Sequence, residues 1–228
     1  MEDTPKSEHA DAIAGVVLCG GKSQRMGRSK ADLVFGSETL LERVVRILQE
    51  VVDHVVVVTA PNQTLPDLGE DVTTTEDEVE FGGPLMGLEA GLRAVEALSQ
   101  KQSRSYSGVY ATSCDTPFLQ ADFVKEILRH IEEHDVAVPK DDQYFYPLAA
   151  AYRVSLRASM SKLIEQGERR PRTLYSSCKT LAIPTSSLTS VDPQLRSLVN
   201  LNTPADYRVA LEAANLAIPT WLDELSQE

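Results

Sequence analysis

The residues with the clearest chemical potential lie at positions 18–30, where the sequence reads LCGGKSQRMGRSK. Gly20 and Gly21 allow a sharp bend there, and they let backbone N–H groups approach phosphate oxygens without a Cβ in the way. The segment also contains four cations and no acidic residue: Lys22, Arg25, Arg28 and Lys30. Because the whole chain has a net charge of -12, this concentration of positive charge indicates an anionic ligand. A solvated basic loop is the alternative, but glycines and spaced cations together favour a phosphate-binding loop.

Two common phosphate loops do not fit this segment. A Walker A loop reads G-x-x-x-x-G-K-[ST], whereas here five residues separate Gly21 from Gly27 and Arg28 follows. The G-x-G-x-x-G fingerprint of dinucleotide-binding domains is absent as well. The loop is therefore of another type.

Asp115 is the second candidate, because it follows an apolar run that predicts a strand at residues 108–113. A carboxylate at the end of a strand can hold Mg²⁺, which prefers oxygen ligands and bridges phosphate groups. Asp before Thr-Pro is also common at the start of a turn, and the residues alone leave both interpretations open. Asn200 and Asn202 offer amide oxygens that either complete a magnesium site or cap the following helix.

Alternating strands and helices must position these residues. The apolar runs at residues 13–18 and 54–59 are rich in β-branched residues, which predicts strands buried on both faces. Apolar residues at helical spacing predict a helix at 40–51, and a proline-initiated helix follows at 84–99. The fold class is therefore α/β, a single Rossmann-like three-layer domain with a mostly parallel sheet. Ligands of such sheets bind beyond the carboxyl ends of the strands, where we expect both the glycine loop and Asp115.

The second half of the chain continues this pattern less regularly. Strands are predicted at residues 135–139, 144–153 and 180–184, and helices at 121–134, at 155–166 and from Pro204 onwards, with Thr203 as N-cap. Residues 64–82 are predicted to be irregular and acidic. The domain is expected to span residues 13–215, between a disordered tail at 1–12 and a C-terminal tail or short helix at 216–228.

The composition excludes several classes of protein. An acidic surface repels nucleic acid and anionic membranes, and no apolar run is long enough to span a bilayer. The three cysteines are widely spaced, which is typical of neither a disulfide framework nor a zinc site. The polar first residues do not read as a signal peptide, so a reducing cytoplasm is the expected location. We therefore expect no nucleic acid and no membrane among the partners.

The pattern Leu-x-Gly-Gly-x-x-x-Arg-Met-Gly-x-x-Lys at residues 18–30 resembles the signature of sugar-phosphate-type nucleotidyltransferases. Among these, the sequence is most similar to the molybdenum cofactor guanylyltransferases of the MobA type. Four further motifs of that family follow in order: Gly83-Pro84-Leu85-Met86-Gly87, Cys114-Asp115-Thr116-Pro117, Gly167-Glu168-Arg169-Arg170 and Asn200-Leu201-Asn202-Thr203-Pro204. One such motif would be weak, but five in the same order are specific, and they cover nearly the whole chain.

This resemblance implies the fold of nucleotide-diphospho-sugar transferases and a transfer of GMP. The terminal phosphate of molybdopterin, or of the molybdenum cofactor, would attack the α-phosphorus of GTP and release pyrophosphate. The implied nucleotide-binding residues are Leu18, Cys19, Gly20, Gly21, Lys30, Asp77, Gly83 and Asp115. The implied catalytic residues are Arg25, Lys30 and Asp115, and the implied ligands of a Mg²⁺ cofactor are Asp115 and Asn202.

The resemblance also implies partners and leaves alternatives open. The basic cluster at residues 168–172 would lie towards the acceptor phosphate. Proteins that donate or receive the cofactor would make transient contact with the enzyme. Family members often carry asparagine just after the second strand, where this chain has Thr59 and, slightly later, Asn62. The alternatives are a cytidylyltransferase of the same cofactor, a sugar-phosphate nucleotidyltransferase and a non-catalytic GTP-binding regulator. Related cytidylyl enzymes tend to have Ala-Ala-Gly where this chain has Cys19-Gly20-Gly21, which favours GTP.

Overall fold

Strands and helices alternate along the computed structural model, which describes residues 12–20, 26, 28–69, 71–77 and 82–224. In these residues the strands are β1 (Ala12–Leu18), β2 (Val34–Phe35), β3 (Glu38–Thr39), β4 (His54–Thr59), β5 (Val72–Glu76), β6 (Tyr106–Ser113), β7 (Val136–Lys140), β8 (Ala149–Arg153) and β9 (Thr180–Pro184). The α-helices are α1 (Leu40–Gln49), α2 (Pro84–Gln102), α3 (Ala121–Leu128), α4 (Arg157–Glu165), α5 (Pro204–Ala213) and α6 (Thr220–Glu224). The tail predicted at residues 1–12 lies outside the described residues except for Ala12, which opens β1.

Seven of these strands form one sheet, in the order β5-β4-β1-β6-β8-β7-β9. β1 pairs in parallel with β4 and β6, β4 with β5, and β7 with β9. β8 runs antiparallel to both of its neighbours, β6 and β7. The sheet is therefore mostly parallel, as predicted. In the register of β1 with β6, Leu18 pairs with Ser113, so the two strands that lead to the candidate site end side by side.

Helices cover both faces of this sheet. On one face, Leu41 and Val44 of α1 and Phe123 of α3 belong to a buried apolar cluster. On the other face, Leu88 of α2 and Met160 of α4 belong to a second one. Both faces of the inner strands are thus buried, which explains their unbroken apolar runs and confirms the predicted three-layer α/β fold. In the described part of the chain, no helix is both long and apolar enough to cross a membrane.

Several helices begin where the sequence supplies N-terminal signals. Thr39 Oγ1 accepts a hydrogen bond from the Glu42 backbone N–H, and the Glu42 carboxylate accepts one from the Thr39 N–H, which forms a capping box before α1. Thr203 and Asp206 form the same arrangement before α5, with Pro204 in the first turn. The predicted N-cap at Thr203 is therefore confirmed. This cap matters for the site because it fixes the segment that carries both asparagines.

The prediction of an irregular segment at residues 64–82 is wrong in its centre, where β5 forms one edge of the sheet. The sequence of β5 is VTTTE, and β-branched residues favour strands. β5 pairs only with β4, so its side chains remain partly or fully exposed. A polar edge strand lacks the apolar run by which buried strands are recognised, and the acidic residues around it conceal it further.

The strand predicted at residues 144–153 is shorter than expected, since β8 begins only at Ala149. The Asp141 carboxylate accepts a hydrogen bond from the Tyr144 backbone N–H, which holds a turn in place of the first part of the strand. Pro147 has no N–H to contribute to a strand ladder. The aromatic residues of this segment therefore lie in a connection at the carboxyl edge of the sheet.

A third apolar cluster lies between the basic loop and the end of the chain. Met26 and Leu33 pack there with Tyr207 of α5 and Leu222 of α6. The ring of Trp221 stacks on that of Tyr207, with centroids 6.0 Å apart. Helices α5 and α6 therefore pack against the described part of the basic segment, at Met26, and against Leu33 just after it.

Candidate active site

The side chains of Lys30 and Asp115 meet at the carboxyl edge of the sheet. Lys30 Nζ donates a hydrogen bond to Asp115 Oδ2 at 2.5 Å and another to Asn202 Oδ1 at 3.2 Å. The side chains of the ion pair are only 19% and 8% exposed, so water screens their attraction less than it would at an open surface. The structure thus brings together three site residues that the sequence predicts from separate motifs.

The second oxygen of Asp115 is held by two neutral side chains. Ser113 Oγ donates a hydrogen bond to Asp115 Oδ1 at 2.5 Å. Asn200 Nδ2 donates to the same oxygen and to Ser113 Oγ, at 2.7 Å in each case. Ser113 is a site residue that was not predicted from the sequence. The spacing Ser-x-Asp where a strand ends is the signal that would have found it, because it puts a hydroxyl two residues before the candidate carboxylate.

The backbone around Asp115 is fixed by neighbouring segments. Cys114 N donates to Leu18 O at 3.1 Å, which extends the pairing of β6 with β1 by one residue. Leu201 N donates to Asp115 O at 3.0 Å. The segment that contains the two asparagines therefore docks on the backbone of the carboxylate residue itself, and its side chains reach the site from a fixed position.

Gly20 lies where the chain leaves β1, and it is exposed at the carboxyl edge. A Cβ at this position would lie 2.8 Å from Ala60 N, so a larger residue does not fit without a shift of the backbone. This close approach gives one of the two loop glycines a structural reason. Gly21 and Arg25, which the sequence analysis assigns to the triphosphate and to catalysis, lie outside the described residues, and their roles stay predictions.

Leu18 and Cys19 form the base of the loop. Leu18 packs against α2 so closely that a Cβ on Gly87 would lie 3.2 Å from its side chain. Cys19 N donates to Val58 O at 2.7 Å. Hydrogen bonding with Cys19 and burial raise the pKa of the Cys114 thiol well above its ordinary value, so this thiol stays protonated at neutral pH. Cys114 is therefore a packing residue beneath the site.

The turn before α2 brings a further motif to this edge. Gly83 has a φ angle of 92°, in the region that favours glycine. A Cβ on Gly83 would lie 3.0 Å from Arg169 O, and the Leu85 N–H donates to the same carbonyl at 3.2 Å. The loop that the sequence analysis assigns to the nucleotide therefore touches the segment that it assigns to the acceptor. Nothing in the sequence indicates this contact.

Asp77 also lies at the carboxyl edge of the sheet, but it follows β5, the outermost strand. Its N–H donates to Thr59 O at 2.9 Å, just beyond β5. β4 and β1 separate β5 from β6, so at about 4.8 Å per strand Asp77 and Asp115 are roughly 14 Å apart across the sheet. The two carboxylates are thus too far apart to bind one cation. Gly20, at the end of β1, lies between them.

Comparison with known proteins assigns this arrangement to a family. The profile described as "MobA-like NTP transferase domain" matches residues 15–181. The chain belongs to this family. It is 32% identical over 210 residues to a Desulfosudis oleivorans protein named molybdenum cofactor guanylyltransferase, an alignment that covers 91% of this chain and 96% of the relative.

Solved structures agree with the MobA-like assignment at the level of the fold. The molybdopterin-guanine dinucleotide biosynthesis protein A of Archaeoglobus fulgidus is similar with a TM-score of 0.71 and 23% identity, over 89% of this chain and 98% of that one. A Mycobacterium tuberculosis protein crystallised in complex with manganese has a TM-score of 0.54 and 20% identity, over 89% and 99% of the two chains. Lys30 and Asp115 lie within the segment that the MobA-like profile matches, whereas Asn200 and Asn202 lie beyond residue 181. The fold therefore adds residues to the site that the matched segment does not contain.

Proposed function

We propose that this chain transfers the GMP group of GTP to the terminal phosphate of molybdopterin or the molybdenum cofactor, with release of pyrophosphate. The observation that carries the proposal is the cluster of Lys30, Asp115 and Asn202 beside the exposed Gly20. It combines a cation, a carboxylate and a glycine backbone at the edge where sheets of this type bind ligands. The guanine nucleotide and the pterin acceptor are proposed from the name of the relative that is 32% identical.

The proposed cofactor is Mg²⁺, and Asp115 Oδ2 and Asn202 Oδ1 are the oxygens that would hold it. Both already accept hydrogen bonds from one cation, the ammonium group of Lys30, and both are oxygens of the kind that Mg²⁺ prefers. Among the described residues, no group of three or more His, Cys, Asp or Glu side chains forms a cage for a metal ion. This suits Mg²⁺, which binds through one or two carboxylates and the phosphates of its nucleotide. When bound, it would supply Lewis acidity at the phosphates and orient them.

The residues of the chain would act mainly by positioning and by neutralising charge. The acceptor phosphate is already an anionic nucleophile at neutral pH, so no general base is required. As it bonds to the α-phosphorus of GTP, the bond from that phosphorus to the bridging oxygen breaks, and pyrophosphate leaves with the electron pair. Arg25 and Lys30 would stabilise the negative charge that develops on these groups. Backbone N–H groups at Gly20 and Gly21 would hold the triphosphate.

The length of the site suits an extended nucleotide. Asp77 would contact the guanine or the ribose at one end, and Asp115 would lie near the phosphates, roughly 14 Å away by strand spacing. A pocket of about 300 Å³ is lined by Thr59 at the end of β4, by Gln63 and by Glu76, the residue before Asp77. Leu18, Cys19 and Gly83 would line the nucleotide between these ends.

The acceptor would approach from the side of residues 168–172, which contain three arginines. Arg169 O accepts a hydrogen bond from Leu85 N and lies close to Gly83. A shift of the loop at Gly83 on nucleotide binding would therefore also shift the segment that contains Arg169. We propose that proteins that donate or receive the pterin cofactor make transient contact with the chain.

Pyrophosphate release tests this function directly. Mg²⁺ and molybdopterin are combined with GTP, CTP, ATP or UTP in separate reactions, and each is repeated without molybdopterin. Release that needs both GTP and molybdopterin supports the proposal. Release with CTP and molybdopterin, but not with GTP and molybdopterin, would instead identify a cytidylyltransferase. GTP binding without release would contradict the proposed transfer, and it would indicate a GTP-binding regulator or another acceptor.

A further inference from the structure

The two oxygens of the Asp115 carboxylate have different neighbours. Oδ2 lies 2.5 Å from the ammonium group of Lys30. Oδ1 accepts hydrogen bonds from Ser113 Oγ at 2.5 Å and from Asn200 Nδ2 at 2.7 Å. Because Asn200 also donates to Ser113 Oγ, these three side chains form a closed ring of hydrogen bonds. One oxygen of the carboxylate is thereby bound to the protein, and the other faces a cation.

Ser113 is placed to enforce this division. It is the last residue of β6, it is 9% exposed, and its backbone is held in register with Leu18 of β1. A serine hydroxyl has one proton to donate, and here it goes to Asp115 Oδ1 while the hydroxyl oxygen accepts from Asn200. Both the proton and the oxygen of the hydroxyl therefore have a partner, which fixes its orientation. The pairing of β6 with β1 fixes the position of the backbone.

We propose that Ser113 is a positioning residue that turns the Asp115 carboxylate so that a divalent cation is held through Oδ2 alone. This inference rests on the proposed function, in which Asp115 holds the cation of the nucleotide. Asp115 would then offer the cation one oxygen and Asn202 Oδ1 a second, and the phosphates of the nucleotide would offer others. Ser113 acts through Asp115 and does not need to touch the cation.

Removal of the hydroxyl should loosen this geometry. In Ser113→Ala, Asp115 Oδ1 keeps its bond from Asn200 but loses the shorter of its two hydrogen bonds. The terminal torsion of an aspartate is broad, so the carboxylate can then rotate. Loss of a group that orients a metal ligand typically lowers metal affinity about 10–100-fold.

The test measures Mn²⁺ binding from the electron paramagnetic resonance signal of the free ion, without acceptor and with the protein in excess over GTP, so that little free nucleotide is left to chelate the ion. The matched control is Thr112→Val. Thr112 is buried one residue earlier on the same strand. Its hydroxyl bonds to Thr116 Oγ1 at 3.2 Å and, at the longer distance of 3.5 Å, to the backbone oxygen of Ser113, but it does not touch the Ser113 hydroxyl. This variant therefore also removes a buried hydroxyl from β6 but leaves the ring around Asp115 intact. Ser113→Thr retains the hydroxyl and serves as the conservative variant.

We expect the Mn²⁺ dissociation constant to rise about 10-fold or more in Ser113→Ala, and to stay within about twofold of wild type in Thr112→Val and Ser113→Thr. Wild-type affinity in Ser113→Ala, or an equal loss in Thr112→Val, would overturn the positioning role. If circular dichroism shows that the alanine variant does not fold, Ser113→Cys makes the same test, because a thiol is a weak donor. Unchanged Mn²⁺ affinity in that variant would equally overturn the role.

Kinetics provide a second readout. Ser113→Ala should raise the Mg²⁺ concentration needed for half-maximal pyrophosphate release, while the KM for GTP at saturating Mg²⁺ stays near wild type. A parallel rise of both would contradict a role exerted through the cation. The two proposals fail differently, since wild-type protein that binds neither Mn²⁺ nor GTP would overturn the proposed function itself. Normal wild-type binding with an unaffected Ser113→Ala would overturn only the role of Ser113.

Discussion

Lys30 and Arg28 come from the same basic loop, two residues apart, yet they have opposite surroundings. Lys30 donates to Asp115, whose side chain is only 8% exposed, at the carboxyl edge of the sheet. Arg28 is exposed, and its guanidinium carbon lies 4.8 Å from the centroid of the Trp221 ring. A row of cations in a sequence is therefore not a set of equivalent phosphate ligands.

The backbone between the two cations explains their different directions. A short 3₁₀ helix at Lys30–Asp32 begins directly after Ser29. Ala31 in this helix and Leu33 after it are buried, whereas Lys30 Nζ reaches Asp115 at the carboxyl edge of the sheet. One cation is thus available for chemistry, and the other fastens the loop to α6 through a cation–π contact. Removal of Asp115, the partner of Lys30, and of Trp221, the partner of Arg28, should therefore affect catalysis in one case and stability in the other.

Loss of the partner of Lys30 should have the largest effect. We expect Asp115→Ala to lower kcat about 10³-fold or more, because the proposed cation would lose its charged ligand and several kcal/mol of charge stabilisation. Circular dichroism should show an unchanged fold, since the backbone bonds of Asp115 and Cys114 remain. Near-normal turnover in pyrophosphate release would remove Asp115 from the proposed metal site.

Substitution of the two cations themselves should give the sharpest contrast. Lys30→Ala should lower kcat/KM about 10²-fold or more, as loss of a preorganised charge partner in a transition state typically does. Arg28→Ala provides the matched control from the same loop and should change kcat/KM less than about threefold, because its guanidinium group is directed at Trp221. Similar losses in both variants would mean that the loop acts through its total charge.

This contrast also marks how far the sequence can predict the molecule. The inner strands can be predicted because both of their faces are buried, so their apolar residues form an unbroken run. The sequence HVVVVT of β4 is an example. β5 was not, because the polar residues of an edge strand resemble those of a loop. In the site, Lys30 and Asp115 stand out by residue type and motif. The Ser113–Asn200 hydrogen bond joins residues 87 positions apart, and only the fold brings them together.

Loss of the partner of Arg28 should affect stability rather than chemistry. Trp221 stacks on Tyr207 and lies under Arg28, so Trp221→Ala removes a stacked pair, a cation–π contact and partly buried apolar area. We expect a loss of about 1–3 kcal/mol in the free energy of unfolding, measured by denaturant titration. Turnover of the folded fraction should stay within about threefold of wild type. A large loss of kcat without a loss of stability would show that α6 contributes to the chemistry.

The smallest kinetic effect is expected at Cys114, although this residue is adjacent to Asp115. Its thiol pKa is raised above the ordinary value of 9.0 by hydrogen bonding with Cys19 and by burial, so it is a neutral thiol at pH 6–8 in the folded and in the unfolded state. Cys114→Ala should therefore change kcat less than about threefold, and its effect on unfolding free energy should be constant over that pH range.

Because the folded pKa is the higher one, the unfolded state loses its proton first as the pH rises above 9.0, and wild type should then lose stability relative to Cys114→Ala. Denaturant titrations of both proteins across this range measure the difference. A difference that already changes between pH 6 and 8 would mean that the thiol ionises near neutrality, and Cys114 would then have to be counted among the charged groups of the site.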